Sequence, residues 1–287
     1  MPVTNYDSIA DRFDRRYQIH AYAGVRDTLL GFLGSQSLSA VLEVGCGTGH
    51  WLQLVAAARQ GPPDRLRQGD GGPPALHAKA EGGHDVPAPG RSVLAGVDPF
   101  AAMLARAHSA APPAHLARAR AEALPWRDGT FDRIFCINAL HHFADRERFF
   151  EEARRVLRPG GGLLSVGKDP HAGRDQWWVY DCFPGTLDAD RERFAPVRRL
   201  RGELTRAGFA WVESLEADHI EALMPAAEAL ATGVVDRAYT SQLTMLPEED
   251  FQNGAARIRK AAAERAAEGA PLDLVTDFRL YATIGWM

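Results

Sequence analysis

Five side chains in the first half of this 287-residue chain have the types and positions for ligand chemistry: Glu43, Asp98, Asn138, His141 and His142. Glu43 sits two residues before Gly45 in A-V-L-E-V-G-C-G-T-G-H-W, Ala40 to Trp51. A carboxylate there attracts a cation and repels a phosphate. Asp98 ends V-L-A-G-V-D, where both its oxygens could take a pair of ligand hydroxyls; its alternative role is to cap the helix over Ala101–Ala107. Asn138 follows F-D-R-I-F-C-I, and the neighbouring His141 and His142 carry imidazoles that titrate near neutrality. They are candidates for a general base and equally for packing. The three cysteines (Cys46, Cys136, Cys182) have no metal-binding spacing, and no metal is expected. His77 and His84 lack periodic partner ligands.

These residues need elements that bring them together. Val41, Leu42 and Val44 form a short apolar run that breaks into Gly45, Gly47 and Gly49, with Trp51, Leu52 and Val55 following at helical spacing. This reads as strand, tight turn, helix. Glycines permit positive φ and close backbone approach to a ligand, and the amides opening the helix point into the same crevice. Val93–Asp98 and Phe131–Ile137 read as further strands, Asp145–Leu157 as an amphipathic helix buried through Phe149, Ala153 and Val156, and Leu163–Val166 as the next strand. Alternation of strand and helix predicts an α/β, Rossmann-like, doubly wound and mostly parallel sheet of seven strands, with ligands at the carboxyl ends of the strands. Glu43, Asp98 and Asn138 all fall at such ends.

The rest divides by character. Residues 1–34 read as a helical N-terminal arm on which Ile9, Phe13, Arg16, Tyr17 and His20 share a face. Residues 35–220 and 270–287 form the core. Within it, residues 60–91 are dense in Gly and Pro and poor in large apolar side chains, which predicts a flexible surface insertion. Residues 221–269 are expected to form a helical lid, with period-two alternation from Phe278 to Ile284 marking a late strand.

Composition excludes several classes. A formal net charge of −4, with no basic stripe, offers nothing to nucleic acid. No apolar run approaches the ~20 residues that span a bilayer, and no secretory leader is apparent. A cytoplasmic protein with no membrane partner is expected; its oligomeric state is not legible.

A glycine turn followed by an acid after the next strand suits two ligands. A dinucleotide site needs G-x-G-x-x-G, whereas here the spacing is G-x-G-x-G and Glu43 would face the pyrophosphate. A ligand carrying an ammonium and a sulfonium suits it better. Taken together, V-L-E-V-G-C-G-T-G, G-V-D-P-F-A-A-M-L, A-E-A-L-P-W-R-D-G-T-F-D, N-A-L-H-H-F and V-L-R-P-G-G-G-L resemble the class I S-adenosylmethionine-dependent methyltransferases. The small-molecule branch with the ubiquinone/menaquinone-type enzymes is the nearest in pattern, over roughly Tyr6 to Val166. The long Gly/Pro insertion departs from the family, which runs more directly from turn to ribose acid.

The resemblance implies S-adenosyl-L-methionine as cofactor, S-adenosyl-L-homocysteine as product and a small organic methyl acceptor, with a secondary metabolite as one candidate. It implies that Glu43, Gly45, Cys46 and Gly47 border the methionine part, that Asp98 holds the ribose, and that Pro99 and Met103 lie beside the adenine. Ala121 and Glu122 would meet the adenine edge, although many relatives carry an aspartate where this chain has Arg120. Asn138 would lie by the sulfur and His142, with His141, near the mouth as the catalytic candidates. Tyr17, Trp177, Trp178 and Tyr180 are expected to contact the acceptor, the two tryptophans by stacking. Two other readings stay open: a cofactor-binding protein that catalyses a non-methylating rearrangement, and a non-catalytic accessory subunit that retains the fold.

Overall fold

The computed structural model describes residues 10, 14–34, 40–60, 93–111 and 114–287. The insertion expected at residues 60–91 lies, beyond Gln60, outside the described residues, as does most of the chain before Asp14.

In chain order, the arm comprises α1 (Arg15–Ile19) and α2 (Ala23–Leu33), broken at Tyr22, whose φ is 47°. The core then runs β1 (Ala40–Val44), α3 (His50–Gln60), β2 (Val93–Asp98), α4 (Ala101–Ala110), β3 (His115–Arg118) and β4 (Phe131–Ile137). A 3₁₀ turn over Leu140–His142 precedes α5 (Arg146–Val156), β5 (Leu157–Lys168) and β6 (Gln176–Trp177). Three helices follow, α6 (Trp178–Cys182), α7 (Thr186–Arg193) and α8 (Val197–Arg206). Finally β7 (Trp211–Pro225) and β8 (Asp273–Trp286) enclose α9 (Ala226–Thr232), α10 (Ser241–Thr244) and α11 (Glu248–Ala267).

The strands form one sheet in the order β3-β2-β1-β4-β5-β8-β6, with β7 also pairing β8. Strands β1 to β5 are parallel and β8 is antiparallel to its neighbours. The sheet has eight strands rather than the seven expected, because the two-residue β6 continues beside β8 where β5 stops. Every residue of β1 and β2 is buried, as strands covered by helices on both faces must be. On one face α3 packs through Trp51, Leu52 and Val55; on the other α5 packs through Phe149, Phe150, Ala153 and Val156. Asp145 caps α5 by accepting from the Arg148 amide at 2.9 Å.

Residues 221–225, assigned from sequence to the helical insertion, are strand instead: β7 pairs β8 in register as far as Pro225 with Asp273. Their alternation of exposed and half-buried side chains suits a ribbon rather than a helix. The helices α9 to α11 therefore sit at the end of a long two-stranded ribbon, on the side of the sheet where β1, β2 and β4 end. Among the described residues, no helix is long and apolar enough to cross a membrane.

Candidate active site

A cavity of about 710 Å³ opens over the carboxyl ends of β1, β2, β4 and β5, in the size range of small-ligand clefts (~300–1,000 Å³). Its floor is the sheet; its roof comes from α1 and from the segment Tyr239–Met245.

At one end the glycine turn is built by close packing. Gly45 has φ +75°, and a Cβ there would meet the Ala139 Cβ at 2.5 Å. The amides of Gly45 and Cys46 both donate to the Val97 carbonyl, at 2.8 and 3.0 Å. The turn also holds the acid on the next strand. Asp98 accepts from the Gly47 amide at 3.0 Å through one oxygen and from the Phe100 amide at 2.9 Å through the other. Glu43 lies at the end of β1, 1% exposed, and its Oε2 has no hydrogen-bond partner among the described residues. Burial first, and then the neighbouring Asp98, pushes its carboxyl well above the usual range; only the Leu52 amide, in the first turn of α3, opposes this. A buried, unsatisfied carboxylate oxygen beside a second acid is costly when empty. It fits a cationic ligand, so the residues present suit the methionine and ribose parts of S-adenosylmethionine. Burial and the same two acids raise the Cys46 thiol, which is therefore a neutral wall rather than a nucleophile.

Pro99, Met103, Ala121, Glu122 and Asn138 line the same end. Asn138 takes a left-handed φ of 51° and donates its amide to the Val166 carbonyl at 2.8 Å. Glu122 spends one oxygen on the amides of Ala144 and Asp145, at 2.7 and 3.2 Å, ahead of α5. Arg120, the departure from the family pattern, faces its other oxygen at 3.6 Å.

The other end is aromatic and cationic. Tyr17 stacks on His50 with centroids 3.6 Å apart and meets Trp51 edge-on. Burial raises its hydroxyl pKa, with Arg16 opposing. His20 and Tyr239 meet across the roof at 3.1 Å. His141 stacks on Phe194 at 4.0 Å and lies against His142 with centroids at 3.9 Å. Both imidazoles are neutral. Burial lowers His141 well below its usual range, with His142, Arg193 and Lys168 adding to the shift. His142 is held down to about 3 by desolvation, then by Arg193 and Arg16, against a smaller opposing pull from Asp190.

Sequence reasoning missed the group behind this wall. Lys168, at the end of β5, bonds Asp190 at 3.2 Å and the Tyr180 hydroxyl at 2.9 Å. Asp190 in turn accepts from Tyr180 and Gln242, both at 2.7 Å, and from Arg193. Burial alone would raise the Asp190 pKa, but Lys168 and Arg193 outweigh it and hold it low. The one signal in the sequence was the position of Lys168 at the end of an apolar strand.

Two expected acceptor contacts are not part of the cavity lining. Trp177 lines it, but Trp178 does not. Trp177 ends β6 while Trp178 begins α6, so the two indoles point apart, and Trp178 packs on Phe183 and Tyr239. Tyr180 is likewise absent from the lining; its hydroxyl faces Asp190 and Lys168 within the wall.

Residues 82–165 match the sequence model of a family described as Methyltransferase domain. The chain is 37% identical over 79 residues to 27-O-demethylrifamycin SV methyltransferase of Amycolatopsis mediterranei (strain S699), covering 28% of this chain and 25% of that one. It is 51% identical over 48 residues to a ubiquinone/menaquinone biosynthesis C-methyltransferase of Acidiphilium cryptum (strain JF-5), covering 17% and 19%. The matches thus span a quarter or less of these relatives' length. Among solved structures, one described as a methyltransferase from an antibiotic biosynthesis pathway of Anabaena variabilis ATCC 29413 superposes with a TM-score of 0.60 at 20% identity, covering 90% of this chain and 96% of that one. At that identity the likeness is one of fold.

Proposed function

We propose that this chain is a class I S-adenosylmethionine-dependent methyltransferase that transfers a methyl group from S-adenosylmethionine to a small organic acceptor, a secondary metabolite, in the cytoplasm; the methyltransferase-domain match over residues 82–165 and the resemblance of its motifs support this. The observation that carries the reading is the polarity of this cavity: buried carboxylates Glu43 and Asp98 at one end, aromatic rings and cations at the other. A rifamycin methyltransferase among the sequence matches supports the class of acceptor.

In this reading Glu43 and the turn Gly45–Gly47 hold the methionine part, Asp98 the ribose, and Pro99, Met103 and Ala121 the adenine. Glu122 supports the adenine edge by fixing the Ala144–Asp145 backbone. The bound sulfonium supplies an electrophilic methyl carbon and a neutral leaving group. What the chain contributes is position. A roof over the cavity excludes water and aligns the acceptor, and alignment of that kind is worth ~7–11 kcal/mol. Tyr17 and Trp177 form acceptor-side walls.

His141 and His142 face this space, but a proton acceptor works best with a pKa near the working pH. An imidazole held at about 3 is far from it. We therefore assign the pair to shaping and hydrogen-bonding the mouth. Incubating the chain with methyl-labelled S-adenosylmethionine and a panel of phenolic, amino and enolic acceptors tests the reading by mass spectrometry. Methylated product is expected. A product of unchanged mass would indicate a rearrangement, and cofactor binding without turnover of any acceptor would indicate an accessory protein.

A further inference from the structure

The acceptor half of the cavity is built for a particular charge. Lys168, Arg193 and Arg16 line it. Lys168 and Arg193 are buried side chains, and the carboxylate that balances them, Asp190, lies behind them at 0% exposure and off the lining. Asp175 also acts on Lys168 from outside the cavity, and Asp14 is turned to the Thr48 hydroxyl. The one carboxylate on this part of the wall is Glu192, which is exposed to solvent. An object in the cavity therefore meets cations first and their counter-charges second.

The same wall is aromatic. Trp177, Phe194 and Phe278 line it, and their rings surround the Lys168 ammonium at 4.0, 5.6 and 5.4 Å from their centroids. Two buried donors on this wall, Trp177 Nε1 and Arg193 Nε, have no acceptor among the described residues. Buried donors left without partners cost stability, and both add positive partial charge behind this wall.

We propose that this half of the cavity takes a flat, conjugated hydroxy compound as its oxyanion, a phenolate or enolate, with its ring on the aromatic wall and its oxygen held by the Lys168–Arg193 cations. The proposal rests on the methyl-transfer reading for the reaction it serves. The acceptor hydroxyl loses its proton to solvent on binding, so no side-chain base takes part. The oxyanion's lone pair then forms the new oxygen–carbon bond as the carbon–sulfur bond of the sulfonium donor breaks, its electron pair staying on sulfur. One anion and one cation become a neutral ether and a neutral thioether, a loss of charge that a water-poor site favours. Burial is the main reason His141 and His142 are neutral, and the cations Arg193 and Arg16 add to it; that second contribution favours an anion in the same space.

The test uses 7-hydroxycoumarin, whose absorption distinguishes phenol from phenolate, with the full chain both free and saturated with S-adenosylhomocysteine. The bound probe is expected to ionise at lower pH than the free one. Its phenolate is expected to bind ~10-fold or more tightly than the neutral ether 7-methoxycoumarin. The variant K168M removes one cation and leaves the Asp190–Arg193 ion pair intact, so no buried charge is orphaned, and it should abolish most of that preference. An unchanged or raised ionisation pH in the wild-type chain would overturn the proposal whatever the variant does. So would equal binding of the two coumarins, no binding of either, or tighter binding of coumarin-3-carboxylate. Failure of S-adenosylhomocysteine to bind would instead remove the methyl-transfer reading, while anion preference would still be read on the free chain.

Discussion

The amide of Gly47 donates to Asp98 Oδ2 at 3.0 Å, tying together residues 51 positions apart in the chain. The glycine turn and the acid after the next strand are therefore one unit, and the second oxygen of Asp98 is fixed by Phe100 at 2.9 Å. Asp98→Asn turns one of these acceptors into a donor and removes the charge. We expect it to weaken S-adenosylhomocysteine binding ~10- to 100-fold, as for hydrogen bonds to a charged group worth about 1.5–3 kcal/mol, read by calorimetry.

Glu43 predicts a trade between stability and binding. Its folded pKa is raised above the unfolded value by burial and by Asp98. Between those two values the folded state binds more protons, so stability falls as pH rises through that window and stays low above it. Glu43→Gln escapes this loss. Its melting temperature should exceed wild type by a margin that grows with pH from about 4 upward, at ~2–4 °C for each kcal/mol recovered. The same variant should bind S-adenosylmethionine more weakly, and lose more affinity for it than for the uncharged-sulfur S-adenosylhomocysteine. Equal losses would remove Glu43 from the sulfonium's surroundings.

His142 offers a pH test. With its imidazole held to about 3, kcat/KM should show no limb from this residue between about pH 6 and 8. His142→Gln, which keeps a hydrogen-bonding side chain, should retain kcat within ~10-fold of wild type, short of the ~10²–10⁴ attached to loss of a general base. A larger loss together with disappearance of a limb near neutrality would restore the base role.

The His20–Tyr239 contact joins the arm to the insertion between β7 and β8, across 219 residues. Burial lowers the His20 pKa and raises that of Tyr239, so both are neutral partners. Tyr239→Phe removes one buried hydrogen bond, worth ~0.5–1.5 kcal/mol. Amide exchange in Arg15–Ile19 should speed up by as much as about tenfold, and acceptor KM should rise more than cofactor Kd.

What could be read in the sequence was local. The turn after β1, its leading acid Glu43 and the acid ending β2 are each signalled by a few consecutive residues whose backbone demands are strict, and they come to line one cavity. The parallel core followed from strand–helix alternation. The four-residue β3 escaped notice because only Ala117 in it is buried. The group formed by Lys168, Asp190, Arg193 and Gln242 was illegible for a different reason. It is assembled from β5, α7 and α10, separated by up to 74 residues between Lys168 and Gln242, and no periodicity links them. The Trp177–Trp178 pair misled because a strand passes into a helix between them, and adjacency then says nothing about a shared face.

Titration of the full chain with S-adenosylmethionine by isothermal calorimetry, in parallel with Asp98→Asn, tests the central claim most directly. The account predicts one site per chain with a dissociation constant of about 1 μM to 1 mM, the usual range of substrate affinities, and a markedly weaker site in the variant at a temperature where it is folded. No binding by the wild-type chain, or equal binding by a folded Asp98→Asn, would contradict it.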